Sequence, residues 1–247
     1  MKKIFRSKKM MLGAALLGLG LSFSTGATAQ DEVEVSAGAD LVSSYVWRGV
    51  DCGSAAFQPS LGVSYKGLSL TAWGSTDFNS LAKEFDFTLG YAITEGLSVS
   101  LTDYSFPGAG GTELDPLTGE EIYDYFDYDG HQVELGIAYS VGNFSLAWNT
   151  FIYGDDKKLD DPDKQNYTSY FEAGYSLPVG DTTLDFAVGL SPWESGVYGN
   201  DGFALTNLSI KGSKEIKITD SFSLPAFTQI VINPELKNAH FVFGLSF

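Results

Sequence analysis

Asn238-Ala239-His240-Phe241-Val242-Phe243-Gly244-Leu245-Ser246-Phe247 closes the chain, and its reading decides the fold. Ala239, Phe241, Phe243, Leu245 and Phe247 share one phase; His240, Gly244 and Ser246 share the other, with Val242 the exception. Period-2 alternation of this kind gives a strand one greasy face and one mostly polar face. Ten such residues ending on an aromatic suit the last strand of a membrane-spanning β-barrel, whose strands need about 9–11 tilted residues.

Working outward, the same rule predicts eleven earlier strands. The first runs from Val33 to Trp47, with Val33, Val35, Ala37, Ala39, Leu41, Tyr45 and Trp47 in phase, broken by Ser43. Phe57–Tyr65, Leu68–Phe78, Phe85–Tyr91 and Leu97–Thr102 follow, then Val133–Tyr139, Phe144–Trp148, Tyr167–Tyr175 and Leu184–Leu190. Ala204, Thr206, Leu208 and Ile210 make a tenth in which Leu205 is out of phase. Phe222–Ile232 is the eleventh, where Pro225 needs an edge-like or bulged position.

The connections alternate in length. Lys66-Gly67, Ile93–Gly96, Val141–Asn143 and Ser176–Asp181 read as short turns; Pro107–Gly130, Gly154–Asn166 and Pro192–Gly202 are long, polar and rich in Gly and Asp. Outer-membrane barrels have short periplasmic turns and longer outer loops. Lys211–Asp220 falls on the short-turn side and reads as a turn of unusual length, or as the projecting end of a hairpin. Tyr45, Trp47, Tyr65, Tyr91, Tyr139 and Tyr175 lie near strand ends, where amphipathic rings form a membrane girdle. A secreted soluble β-sandwich would share the alternation without needing those rings.

At the other terminus Lys2, Lys3, Arg6, Lys8 and Lys9 precede an apolar run from Met10 to Leu21, and Ala27-Thr28-Ala29 is a small-x-small cleavage site. Residues 1–29 read as a signal peptide, too short in its apolar run to span as a helix, and 30–247 as one barrel domain. Removing 1–29 takes five of fifteen Lys and Arg and none of thirty-one acids, leaving ten against thirty-one, or −21. Nucleic acid is excluded as a partner by that charge; cationic solutes and divalent ions suit it. Cys52 is the one cysteine, so no internal disulfide forms.

The polar phase carries the candidate lumen-lining residues: Asp40, Arg48, Asp86, Glu134, Glu172, Asp185 and His240. Asp77 also falls on it. Charges along a pore bias it toward ions of opposite sign, while side chains can also fill a barrel of this size. Arg48 and His240, near the outer ends of strands that closure makes neighbours, are the predicted inward pairing. Two outer loops are acidic: Glu113 to Asp129, and Asp155 to Asp163 with Lys157, Lys158 and the adjoining Lys164 mixed in. Oxygen-rich loops are candidate holders of divalent cations, though neither has EF-hand spacing and a solvated loop is the plainer reading. No catalytic residues are assigned and no cofactor is called for. G-x-S-x-G, H-E-x-x-H and C-x-x-C are absent, and Asp127, Asp129 and His131 only superficially resemble the rim acids and histidine of barrel proteases.

Ala39-Asp40-Leu41-Val42-Ser43-Ser44-Tyr45-Val46-Trp47-Arg48-Gly49-Val50 resembles the opening motif of the TorF-type porins, a family also described by its Gcw_chp-type domain, which begins with a strand of the form S-x-Y-x-[FW]-R-G. Leu68–Asp77, with Trp73, and Phe85–Tyr91, with Asp86 between two Phe, are similar to that family's next strands; Asp51-Cys52-Gly53 departs from its usual Ser/Gln-rich segment. Phe247 resembles the C-terminal signal that the barrel assembly machinery reads. The resemblance implies a barrel in the bacterial outer membrane, in contact with its lipid.

The expectation is an all-β protein: a single transmembrane antiparallel barrel of about twelve strands, with short periplasmic turns and long acidic outer loops. Three functions stand open: a porin-like barrel passing small hydrophilic, preferably cationic solutes; a closed barrel with a structural or surface-binding role; and a barrel lipid-modifying enzyme or protease.

Overall fold

The computed structural model describes residues 32–80, 83–106, 131–220 and 222–247. The signal-peptide reading of residues 1–29 and the first acidic loop lie outside them. Fourteen strands run β1 Glu34–Val42, β2 Tyr45–Trp47, β3 Val50–Gly53, β4 Ala56–Tyr65, β5 Leu68–Asp77, β6 Lys83–Ala92, β7 Leu97–Ser105, β8 His131–Val141, β9 Phe144–Gly154, β10 Ser169–Val179, β11 Thr182–Ser191, β12 Ala204–Lys217, β13 Ser223–Asn233 and β14 Asn238–Ser246. Twelve of them, all but β2 and β3, form a closed antiparallel barrel.

Closure joins the chain's two ends. β14 pairs with β1 through Asp40 opposite Ser246 and Val42 opposite Gly244. The Ala39 N–H donates to the Phe247 carbonyl at 3.2 Å and the Phe247 N–H donates back at 2.9 Å. A closed barrel leaves no unpaired strand edge in lipid.

Alternation sorts the wall. Leu135 is 40% exposed and faces out, while Glu134 beside it is 3% exposed and faces in; Phe186 and Asp185 divide in the same way. The expected turns at Lys66-Gly67, 93–96 and Gly142-Asn143 lie at the end that holds Phe247; the longer connections 43–55, 155–168 and 192–203 lie at the other, where β7 ends and β8 begins.

Three expectations need correction, and one pair of alternatives resolves. The predicted first strand ends at Val42, and Tyr45–Trp47 and Val50–Gly53 form a separate hairpin. The Ser43 N–H donates to the Phe243 carbonyl and its hydroxyl accepts from the Phe243 N–H, which finishes the wall ladder there. Arg48 and Gly49 then turn the chain with φ of 50° and 87°, the two positive values of a tight type I′ hairpin turn. Alternation reads alike in a wall strand and in a hairpin inside the wall, so periodicity alone merged them.

Lys211–Asp220 is the projecting end of a hairpin, the second of its two readings, and not a long turn. β12 runs through to Lys217, and Ile218 and Thr219 donate to the Phe222 carbonyl to close a short turn. β12 and β13 therefore project beyond their neighbours, and Pro225, opposite Glu215, lies past the end of the β14 ladder. Ser176–Asp181 likewise shrinks to Gly180-Asp181, because β10 continues to Val179. The phase assigned to Thr206 also changes. Gly189 pairs with Asn207 and Leu190 with Leu205, so Thr206 is the extra residue of a β-bulge, which puts Leu205 back on the outer face.

Candidate functional site

The β2–β3 hairpin folds into the barrel and crosses its outer half. A lone two-stranded hairpin is marginal in water, and the lumen supplies partners for both of its rings. Tyr45 packs edge-on to Trp73 of β5 and donates its hydroxyl to Glu84 of β6 at 2.7 Å. Trp47 meets Tyr104 of β7 edge-on at 5.8 Å and stacks on Tyr198 of the β11–β12 loop at 5.9 Å. Tyr45 and Trp47 are thus buried inside, and their assignment to the membrane girdle is corrected. Tyr65, Tyr91 and Tyr139 face outward and exposed near the short-turn ends of their strands, as does half-buried Tyr175, packed on Phe144.

Arg48 occupies the hairpin tip. Its Nη1 and Nη2 donate to the two carboxylate oxygens of Glu134 at 2.6 and 2.9 Å, and Nη1 also donates to the Tyr198 hydroxyl at 3.1 Å. The guanidinium carbon lies 4.5 Å from the Trp47 ring centre and 4.8 Å from that of Tyr170. Tyr104 donates to Glu134 at 3.0 Å, and Phe151 of β9 packs on Tyr104. A β-bulge at Ile152 precedes that contact: Val133 pairs with Tyr153 but Glu134 with Phe151. Bidentate pairing and two aromatic faces are what a planar, permanently charged guanidinium binds best. Desolvated cation–π contacts add about 2 kcal/mol.

Gly49 lets the tip reach the far wall. A Cβ there would stand 1.8 Å from the Thr206 carbonyl oxygen, the bulged residue of β12. Asn233 of β13 donates to the Gly49 carbonyl. At the hairpin base, Asp77 accepts from the Ser54 N–H and hydroxyl and from the N–H groups of Asn79 and Ser80.

The predicted pairing of Arg48 with His240 does not form. Arg48 reaches across the lumen to β8, and the His240 Nδ1 lies 4.0 Å from Asp51 on the hairpin's second strand. Closure makes β1 and β14 neighbours, but the chain leaves the wall before Arg48. The other acids divide. Glu172 accepts from the Tyr170 hydroxyl and from Asn207 at 3.1 Å. Asp185 accepts from the Ser176 hydroxyl. Asp86 is buried with Oδ1 lacking a partner among the described residues. Asp40 is half-buried on the inner phase of β1.

Lys211, expected in a turn, is an inward residue of β12. Its ammonium lies 4.3 Å over the Phe227 ring and within Coulombic reach of Asp40 and Asp185. Gly244 opposite leaves room for that ring, since a Cβ there would stand 2.3 Å from it. Below the hairpin a cavity of about 1280 Å³ opens at the short-turn end; Glu172, Asp185, Lys211, Ser213 and Phe227 line it. At its mouth Lys214 pairs with Asp181 at 2.7 Å and, by that hydrogen bond, holds its carboxyl below the usual carboxylate range.

In the second acidic loop Asp156 is buried and accepts from the Thr168 N–H and the Gln165 amide. Among the described residues no three His, Cys, Asp or Glu side chains come together as a metal site. His131, on the phase of Leu135, pairs with Asp103 at 2.8 Å; Asp127 and Asp129 lie outside the described residues.

Sequence reading missed Tyr104, Tyr170, Tyr198, Glu84 and Lys211. Tyr104 and Tyr170 carried a usable signal, being large aromatics on the polar phase of their strands. Tyr198 sits in a loop and had none.

An apolar outer face, a polar inner wall and a lumen crossed by an inward hairpin define the class: a membrane-spanning antiparallel β-barrel of twelve strands. Within it, the chain belongs to the family described as "Bacterial protein of unknown function (Gcw_chp)", whose model matches residues 26–217. Among solved structures, the crystal structure of the COG4313 outer membrane channel from Pseudomonas putida F1 is similar at 13% identity, over 86% of this chain and 92% of that chain, with a TM-score of 0.39. No curated protein matches.

Proposed function

We propose that the protein is an outer-membrane channel for small hydrophilic, preferentially cationic solutes, closed in this conformation by the β2–β3 hairpin. The observation that carries this reading is the cavity of about 1280 Å³ that opens at the short-turn end and is lined by Asp185 and Glu172. A barrel that served only as a scaffold would fill this space with side chains. Acidic walls concentrate cations and repel anions. The likeness of Ser43–Gly49 to the TorF-type porin motif points the same way, and the C-terminal Phe247 suits recognition by the barrel assembly machinery.

The seated hairpin favours a second reading, a permanently closed barrel with a structural or surface-binding role. Excision separates the two. Val42 and Ala56 are directly paired, so residues 43–55 can be replaced by Asn-Gly, the preferred two-residue type I′ turn. Refolded in planar bilayers, the excised barrel should conduct in larger and more frequent steps than the full chain. Equal, negligible conductance from both, with both shown folded by heat-modifiable gel mobility, would establish the closed barrel.

A further inference from the structure

Arg48 sits in the wall as a ligand sits in a receptor. Its charge is met by Glu134 on β8, which is itself steadied by the Tyr104 hydroxyl. Its plane is faced by Tyr170 of β10, and Tyr198 accepts from its edge. None of these four residues belongs to the hairpin. If the hairpin withdraws, Arg48 and Trp47 leave with it, and the wall keeps a buried carboxylate among three phenols. A buried carboxylate that loses its partner is costly. A bound cation would replace Arg48 there.

We propose that this pocket is a binding site for organic cations bearing a guanidinium or primary ammonium group, and that Arg48 is its tethered competitor. This names the solute class of the proposed passage and rests on that reading. The chemistry is specific. A carboxylate offering both oxygens fits a planar two-pronged donor, and an aromatic face holds its cation. An inorganic ion would keep its water and gain nothing from the rings. The cavity below is lined by Glu172, whose carboxylate accepts from the same Tyr170 hydroxyl.

The backbone adds an independent observation. Arg48 holds a φ of 50°, a left-handed conformation that Asn or Gly adopts more easily. The turn by itself would favour Asn at this position, so the arginine side chain is what the pocket uses.

Arg48→Asn is therefore the test variant, since it empties the pocket and improves the turn. Folded protein in detergent is titrated with methylguanidinium, and with urea as the uncharged analogue of like shape, following thermal stability. A seated hairpin lowers apparent affinity by the fraction of open sites. Arg48→Asn should thus bind methylguanidinium at least about tenfold more tightly than wild type if the hairpin is seated more than about nine-tenths of the time. Urea should give no shift, and adding Glu134→Gln should abolish binding. Equal responses to methylguanidinium and urea, or binding untouched by Glu134→Gln, would overturn the proposal. The barrel with residues 43–55 excised keeps the whole wall pocket and is assayed in parallel, so a misfolded Arg48→Asn chain leaves the test standing. Binding by the excised barrel without conductance would overturn the channel reading and keep the pocket; conductance without binding would do the reverse.

Discussion

The Asn233 side chain donates a hydrogen bond of 3.0 Å to the Gly49 carbonyl, joining residues 184 apart in sequence between β13 and the hairpin tip. On the opposite side of the same turn, Arg48 is held by Glu134 of β8. The two contacts grip the tip from opposing walls. Release of the hairpin must break both, so its seating is cooperative and open to point mutation.

Gly49→Ala should unseat the tip without disturbing the wall. The added Cβ meets the Thr206 carbonyl at 1.8 Å, and φ at this residue is 87°. Backbone sets both, so no rotamer relieves them. The expected cost is about 1–3 kcal/mol for strain of this kind, borne by the hairpin. Heat-modifiable mobility should stay as in wild type while conductance rises. A barrel that no longer assembles would show that the hairpin is needed for folding rather than closure.

Glu134→Gln removes the carboxylate and leaves Arg48 to find another environment. Kept buried, the unpaired guanidinium costs about 3–5 kcal/mol; swung out, it is solvated. Arg48 is the one Lys or Arg between Val42 and Ala56, so trypsin reads the difference directly. Folded wild type should resist cleavage after Arg48, whereas Glu134→Gln should yield a fragment starting at Gly49. Equal resistance would mean that the aromatic packing of Trp47 against Tyr198 and Tyr104 holds the hairpin unaided.

The wall was legible because its chemistry is periodic: Phe241, Leu135 and Phe186 face lipid while Gly244, Glu134 and Asp185 do not, and a count of two finds them. The hairpin was not legible, because Tyr45 and Trp47 continue the phase of Leu41 while the chain has already turned inward at Ser43. Leu205 did flag the Thr206 bulge, as a break in alternation. Lys211 was misplaced because a run holding three lysines reads as a turn, yet inside a polar lumen a lysine facing Asp185 is well placed in a strand. Partners such as Glu134 for Arg48 depend on which strands face each other across the barrel, which local pattern does not encode.

Charge on the outer face should be punished where charge on the inner face is not. Leu135→Arg and Phe241→Arg, at exposed outward positions, should each cost about 2–4 kcal/mol near mid-bilayer. Ser213→Arg faces the cavity and should stay within about 0.5 kcal/mol. Denaturant unfolding of protein refolded in lipid vesicles measures all three. Equal losses would mean that the outer face is not in lipid.

Orientation is tested by labelling single cysteines on a Cys52→Ser background. Lys158 and Glu235 lie in connections at the long-loop end, and Lys66 and Asn143 in turns at the other. A membrane-impermeant maleimide on intact cells should reach the first two and spare the second two. Ser195, in the 192–203 loop, is fully buried and should label only after denaturation. The inverse pattern would turn the barrel over in its membrane and place the cavity mouth outside.

Selectivity follows from how the inner charges pair. Arg48 already neutralises Glu134, and Lys211 sits between Asp40 and Asp185. Among the described residues neither Asp86 nor Glu172 is ion-paired, and Glu172 lies within Coulombic reach of Arg48. The full chain, when it opens, should favour cations modestly in a salt gradient. Excising residues 43–55 removes one positive and one negative charge, Arg48 and Asp51, yet frees Glu134 in the lumen while Asp51 lay exposed at the rim. Cation preference should therefore increase although net charge does not change. It should fade as salt shortens the Debye length from about 10 Å at 0.1 M toward about 3 Å at 1 M. Glu134→Gln with Glu172→Gln in the excised barrel should take most of the preference away, because these two carboxylates face the same stretch of lumen through Tyr170. Reversal potentials that favour anions, or that ignore the double substitution, would show that the wall acids do not set the selectivity.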